Sequence, residues 1–290
     1  MTYGVVVGER GDPERWRSER RWVRRGPGTS YRKLQTLGHL LVRDRAAVAR
    51  FLAADYALGR RERLRLLRDF ARVTNAVRGY HTLTELLVVV DLVLRQADRP
   101  DLTVVEVGAG AGASTAKLSL ATRAAGGRLH VFDTFRGIPD NDERHELRDG
   151  TPLRFLKGAF RGRLGAVKRR VAELGVIEVC TFHKGRVEDT LPPFEGPVDV
   201  ALIDVDLVAS TRVCVRELYP RLREGGALVS QDGHLRATHE LLADPRFWRD
   251  DVGCEPPAID GLGRDKLLVI PAPTSPGPAT GNAGSRGRGK

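Results

Sequence analysis

A chain of 290 residues is long enough for one large domain or two small ones, and 41% hydrophobic content supplies a real core. No apolar run reaches the length of a bilayer span, and the first residues lack the basic-then-apolar order of a signal peptide, so a cytoplasmic protein is expected. The formal charge of +11 suggests an acidic partner, but the arginines are scattered and no basic stripe interleaves with the 6% of aromatics, which argues against nucleic acid.

Residues 1–33 are arginine-dense and broken by glycine and proline, and they read as an arm carrying Trp16 and Trp22. From Leu34 to Arg72 the apolar residues Leu41, Val48, Phe51, Leu52, Leu64, Leu67 and Phe70 recur at helical spacing. A further helix is predicted over Thr82–Gln96, with Thr82 and Glu85 forming a capping box. Residues 34–97 therefore form a helical extension, a place for a lid ahead of the core that follows at 98–272.

The core opens on TVVEVGAGAG, Thr103 to Gly112. Val104, Val105 and Val107 suit a strand buried on both faces of a parallel sheet. Gly108, Gly110 and Gly112 follow at once, and a helix begins near Ala113. Glycine lets backbone amides approach a ligand, and the helix N-terminus favours negative charge there. This is the cofactor turn of a doubly wound α/β fold. The glycines alone also satisfy a dinucleotide pattern, with Asp133 as its ribose acid.

Arg128–Asp133 is the second predicted strand and ends in an acid. Asp133–Gly150 reads as a polar loop over the carboxyl edge of the sheet, followed by a helix from Arg154 to Leu174. Val176–Phe182 is a third strand, and Gly185–Pro192 a turn. Val198–Ile203 is a fourth, ending in Asp204-Val205-Asp206. Ala227–Ser230 is a fifth, ending in Gln231-Asp232-Gly233-His234. Lys266–Ile270 closes the sheet. Residues 273–290 are rich in proline, glycine and serine, the composition of a disordered tail. Cys180, Cys214 and Cys254 show neither redox nor metal spacing.

In order, these motifs resemble the macrocin O-methyltransferase family. The glycine turn Glu106–Gly112, the run Asp133-Thr134-Phe135-Arg136-Gly137-Ile138-Pro139, and Gly185 with Asp189-Thr190-Leu191-Pro192 carry the likeness. So do Asp204 to Thr211, Leu218-Tyr219-Pro220 and Gly225-Gly226. The resemblance implies a class I methyltransferase, a Rossmann-like sheet binding S-adenosylmethionine and transferring methyl to a hydroxyl of a small natural product, plausibly a sugar, with Mg²⁺. Glu106, Gly108, Ala109, Gly110 and Ser114 are then cofactor residues of the first strand and turn. Asp133 and Thr134 hold the ribose end, Gly185 and Arg186 the adenine end. Asp204 borders the cofactor, ligates the metal and is a candidate base. Gln231 and Asp232 complete the metal site, and His234 is a second candidate base, with His145 and His183 behind it.

The family places two acids where this chain has Gln231-Asp232, and an aromatic where it has Val208. The first departure keeps a metal-independent N- or O-methyltransferase as an alternative. The glycine turn keeps a dehydrogenase open, and the basic arm keeps a cofactor- or RNA-binding protein without catalysis. The amphipathic extension makes a homodimer plausible.

Overall fold

The computed structural model describes Val5–Val7, Gly38 and residues 42–273. The arm with its two tryptophans and the residues after 273 lie outside the described residues, apart from Val5–Val7, which form strand β1. The helical stretch ahead of the core resolves into α1 (Arg45–Ala53) and α2 (Arg60–Ala76). Glu62 Oε2 accepts the Gly59 N–H at 2.8 Å and so caps α2. Helix α3 spans Leu83–Leu94, and its capping box is formed as expected: Glu85 N–H donates to Thr82 Oγ1 and Thr82 N–H to Glu85 Oε2. No helix among the described residues is long and apolar enough to cross a membrane.

The expected α/β sheet is present. Strands β2 (Thr103–Val107), β3 (Arg128–Asp133), β6 (Cys180–Lys184), β7 (Val198–Ile203), β8 (Leu222–Ser230) and β9 (Leu268–Pro271) stand in the order β6-β3-β2-β7-β8-β9. All neighbours are parallel except β8 and β9. Helices α4 (Ala113–Ala124) and α5 (Leu164–Leu174) cover one face with α1 to α3. Helices α6 (Val187–Thr190), α7 (Val208–Leu218) and α8 (Arg236–Ala243) cover the other. Every residue of β7 is buried, as a central parallel strand requires.

Three expectations are corrected. Residues 154–163 are not helical. Pro152–Phe155 is strand β5, with Leu153 and Phe155 turned inward, and it pairs with β1 and with β4 (His145–Glu146). Gly158 (φ +78°) and Phe160 (φ +56°) then lie in the left-handed region, so α5 starts only at Leu164. The loop from Asp133 to Gly150 is less solvated than its polarity suggests: His145 is buried, and Glu143 accepts the N–H groups of Val208 and Ala209 at the start of α7. A 3₁₀ turn (Ile177–Val179) precedes β6, where the sequence suggested strand from Val176.

At the opposite edge of the sheet one buried charge ties elements together. Asp199, fully buried near the start of β7, accepts the Thr103 N–H at 2.7 Å and is paired with Arg99 and Arg223. Truncation strands the two guanidinium groups and an orphan amide. Asp199→Ala should cost about 3 kcal/mol of stability in urea unfolding, the scale for breaking a buried pair. A loss under about 0.5 kcal/mol would show that water replaces the carboxylate without cost.

Candidate active site

Sheet register assembles the site. Val107 pairs with Phe132 on one side and Ile203 on the other, and Ile203 pairs with Ser230. Backbone bonds continue these ladders one step further: Gly108 N to Phe132 O, Asp204 N to Val107 O and Gln231 N to Ile203 O, each at 2.9 Å. Strands about 4.8 Å apart therefore deliver Asp133, Gly108, Asp204 and Gln231 side by side at the carboxyl edge. Open α/β sheets bind ligands there.

The glycine turn is held by contact at both of its ends. Gly108 has φ +96°, and a Cβ there would lie 1.9 Å from the Asp204 carbonyl oxygen. No other residue fits. Over the turn passes the segment leading into α5, where a Cβ on Gly162 would lie 1.6 Å from the Gly110 oxygen. The Asp133 carboxylate accepts the N–H groups of Ala109 (2.8 Å), Gly110 (3.0 Å) and Phe135 (2.5 Å). The residue expected at the ribose thus braces the turn itself. Burial raises its pKa, against the lowering by these amides.

Glu106 is fully buried on β2, and neither carboxylate oxygen has a hydrogen-bond partner among the described residues. Burial pushes it up to about 7, opposed by the nearby hydroxyls of Ser114 and Thr115. Thr134 serves its own loop, accepting from Arg136 N–H and donating to the Gly137 carbonyl. Gly185 follows β6 and donates its N–H to the Asp133 carbonyl. Arg186 is exposed and paired with Glu188.

Asp204 and Asp232 come together as expected, and Asp206 joins them: one oxygen from each lies within 4.8 Å of the others. Asp206 adopts φ +63°, a left-handed conformation that turns the chain back after β7. Asp232 Oδ2 accepts the N–H groups of Val205 (3.2 Å) and Asp206 (3.1 Å), which fixes that turn. Asp232 Oδ1 and both polar atoms of the Gln231 side chain are buried without a partner among the described residues. Burial first, then the neighbouring Asp232 and Asp204 charges, hold Asp206 well above the usual carboxylate range. Asp232 is pushed to about 7 by burial and by Asp204. A metal-free cluster of this kind is electrostatically unfavourable.

His234 is half-buried, and burial together with Lys266 lowers it to about 4, so it is neutral near pH 7. His183 is occupied elsewhere, 3.0 Å from His130 and stacked on Phe132. Sequence spacing did not single out His81, whose Nε2 lies 3.5 Å from Asp204 Oδ2. It immediately precedes the cap of α3, so the helical extension supplies it. Nor did spacing assign a role to Asp206, although the Asp-x-Asp pair was visible.

A methyltransferase-domain family model matches residues 105–233, the span from β2 through the acidic strand ends. An enzyme from Streptomyces olivaceus, 8-demethyl-8-(2,3-dimethoxy-alpha-L-rhamnosyl)-tetracenomycin-C 4'-O-methyltransferase, is 30% identical over 204 residues, 68% of this chain and 76% of that one. The chain belongs to the S-adenosylmethionine-dependent methyltransferases. Among solved structures, the O-methyltransferase NovP superposes with a TM-score of 0.53 at 19% identity, over 68% of this chain and 83% of its own. The calicheamicin methyltransferase CalS11 does so with 0.50 at 19%, over 91% and 99%. These two likenesses establish the shared fold of the methyltransferase.

The acidic cluster makes a pH prediction. Between about pH 4 and pH 7 Asp232 keeps a proton in the folded chain that an unfolded Asp has released, so its contribution to stability falls as pH rises through that window. Asparagine keeps the two amide contacts and removes the titration. In EDTA, the melting temperature of Asp232→Asn should rise relative to wild type between pH 5 and pH 8. A constant difference would show that Asp232 titrates normally.

Proposed function

We propose that this methyltransferase moves a methyl group from S-adenosylmethionine to a hydroxyl, most simply a sugar hydroxyl, of a small natural product, with Mg²⁺ at the acidic strand ends. The observation that carries the metal is the convergence of Asp204, Asp206 and Asp232 with unsatisfied oxygens on Asp232 and Gln231. Mg²⁺ takes oxygen ligands in an octahedral shell and keeps several waters, which suits carboxylates and one amide carbonyl. Gln231 adds an oxygen without a further negative charge. The residues present therefore fit the ion. When bound, it would polarise the acceptor oxygen and favour loss of its proton. The sugar acceptor is supported by the tetracenomycin relative, whose name places its methyl on a rhamnosyl-bearing substrate.

The chain's own work is positioning and proton removal. The glycine turn holds the donor so that the acceptor oxygen attacks the methyl carbon in line with the departing sulfur. When bound, S-adenosylmethionine would supply the methyl group, the new C–O bond replacing the C–S bond and its sulfur being left as a neutral thioether. Orientation of this kind supplies several kcal/mol of the barrier, up to about 7–11 in ideal cases. Asp206 takes the hydroxyl proton: the left-handed turn after β7 brings its carboxylate back beside Asp204 and Asp232 at the strand ends, where an acceptor oxygen would be held. Asp204 and His81 form the wall beside it. His234 is the weaker base, since its imidazolium is so strongly disfavoured.

Asp206→Asn should lower kcat by about 100-fold or more, the scale of a lost general base, with S-adenosylhomocysteine affinity unchanged in calorimetry. Full turnover in that variant would remove Asp206 from the reaction. Gln231 favours a second reading, methyl transfer without metal. Excess EDTA separates the two: the proposal predicts at least about 10-fold loss, restored by Mg²⁺, whereas undiminished turnover supports the metal-free route.

A further inference from the structure

A cavity of about 350 Å³ opens beside the sheet edge formed by β3 and β6. Its wall carries four cations, Arg136, Arg161, Arg163 and Lys184, with Phe135 as a buried apolar floor. Three separate parts of the chain bring them together. Arg136 lies in the turn after β3, Lys184 ends β6, and Arg161 and Arg163 lead into α5.

None of the four side chains has a carboxylate partner among the described residues. Other exposed arginines of this chain do: Arg212 pairs with Asp251, Arg236 with Glu146 and Glu240, and Arg249 with Glu255. The sequence around the cavity supplies no such acid. From Gly150 to Ala172 there are seven Lys and Arg and not one Asp or Glu. The acid that sheet register brings opposite Lys184 is Asp133, and its oxygens are engaged with the amides of Ala109, Gly110 and Phe135.

The entrance of α5 adds to the same field. Arg163 is its N-cap residue and makes no side-chain cap bond, the first turn holds no acid, and Gly165 leaves room at the cavity wall. The first amides of the helix therefore face a site that already carries four positive charges.

The methyl donor does not account for this arrangement. S-Adenosylmethionine has no phosphate and carries a sulfonium and an ammonium against one carboxylate. Planar guanidinium groups match the paired oxygens of phosphates, and the volume exceeds what one inorganic ion fills. We propose that the cavity is an anion site for the phosphate or diphosphate group of a phosphorylated small molecule, separate from the acidic centre. The group reaches it either as a free ion or on a nucleotide.

Calorimetric titration of the full chain with inorganic pyrophosphate and with uridine diphosphate tests this. Both should bind the wild type, and the double variant Arg161→Ala/Arg163→Ala should bind each at least 10-fold more weakly. Affinity should also fall between 50 and 200 mM salt, as for any site built on phosphate contacts. Both substitutions are at exposed residues, so the melting temperature should match wild type and report an intact fold. Uridine diphosphate binding at least 10-fold more tightly than pyrophosphate would identify a nucleotide as the carrier, and equal affinities would identify the free ion. Absence of pyrophosphate and uridine diphosphate binding, or affinity untouched by the double variant, would overturn the proposal. So would binding of an RNA oligomer by a protein that ignores both probes.

Discussion

Gly108 touches the backbone of Asp204, and the whole site depends on that contact. The end of β2 can lie against the end of β7 only because no side chain stands between them. This closeness makes the carboxyl edge a single surface. The glycine turn, Asp204 and the paired residues after β8 then follow one another at strand spacing. Asp133 secures the turn from the other side through three amide bonds. A buried carboxylate is costly unless several donors satisfy it, and here the backbone provides them.

The second organising feature is an acidic cluster with no Lys or Arg paired to it among the described residues. Asp204, Asp206 and Asp232 are close, two of them bind protons unusually tightly, and Lys266 offsets them only from nearby. Structural acids in this chain behave differently: Asp199 is matched by two arginines, and Glu143 by two amides. Unmatched charge at the ligand edge beside matched charge elsewhere distinguishes a site from a scaffold.

Much of the fold was legible because its signals are local. β-branched runs marked the central strands, glycine marked the cofactor turn, and Thr82 with Glu85 marked the start of α3. The boundaries of β7 follow from Val198–Ile203 alone. The starts of the helix ending at Leu174 and of the third predicted strand were not legible. The apolar residues after Arg154 fit helical spacing, but left-handed Gly158 and Phe160 break the helix, and β5 exists through pairing with a distant strand. The pairing of β5 with β1 joins segments about 150 residues apart, which local spacing around either does not reveal.

The site divides in the same way. Asp204 and Asp232 were legible as acids ending consecutive strands. Asp206 needed the left-handed turn that brings it back to them, and His81 needed the packing of the helical extension over the sheet. Asp133 was legible as a strand-end acid near a glycine turn, and the three amide bonds it also accepts are visible only in three dimensions.

Titration of the full chain with S-adenosylhomocysteine, followed by Mg²⁺, tests whether the strand-end cleft takes both donor and ion. One equivalent of the nucleoside and then one of the ion should bind, the second heat disappearing in Asp204→Asn. A folded sample that takes up neither would contradict the assignment of the strand-end cleft.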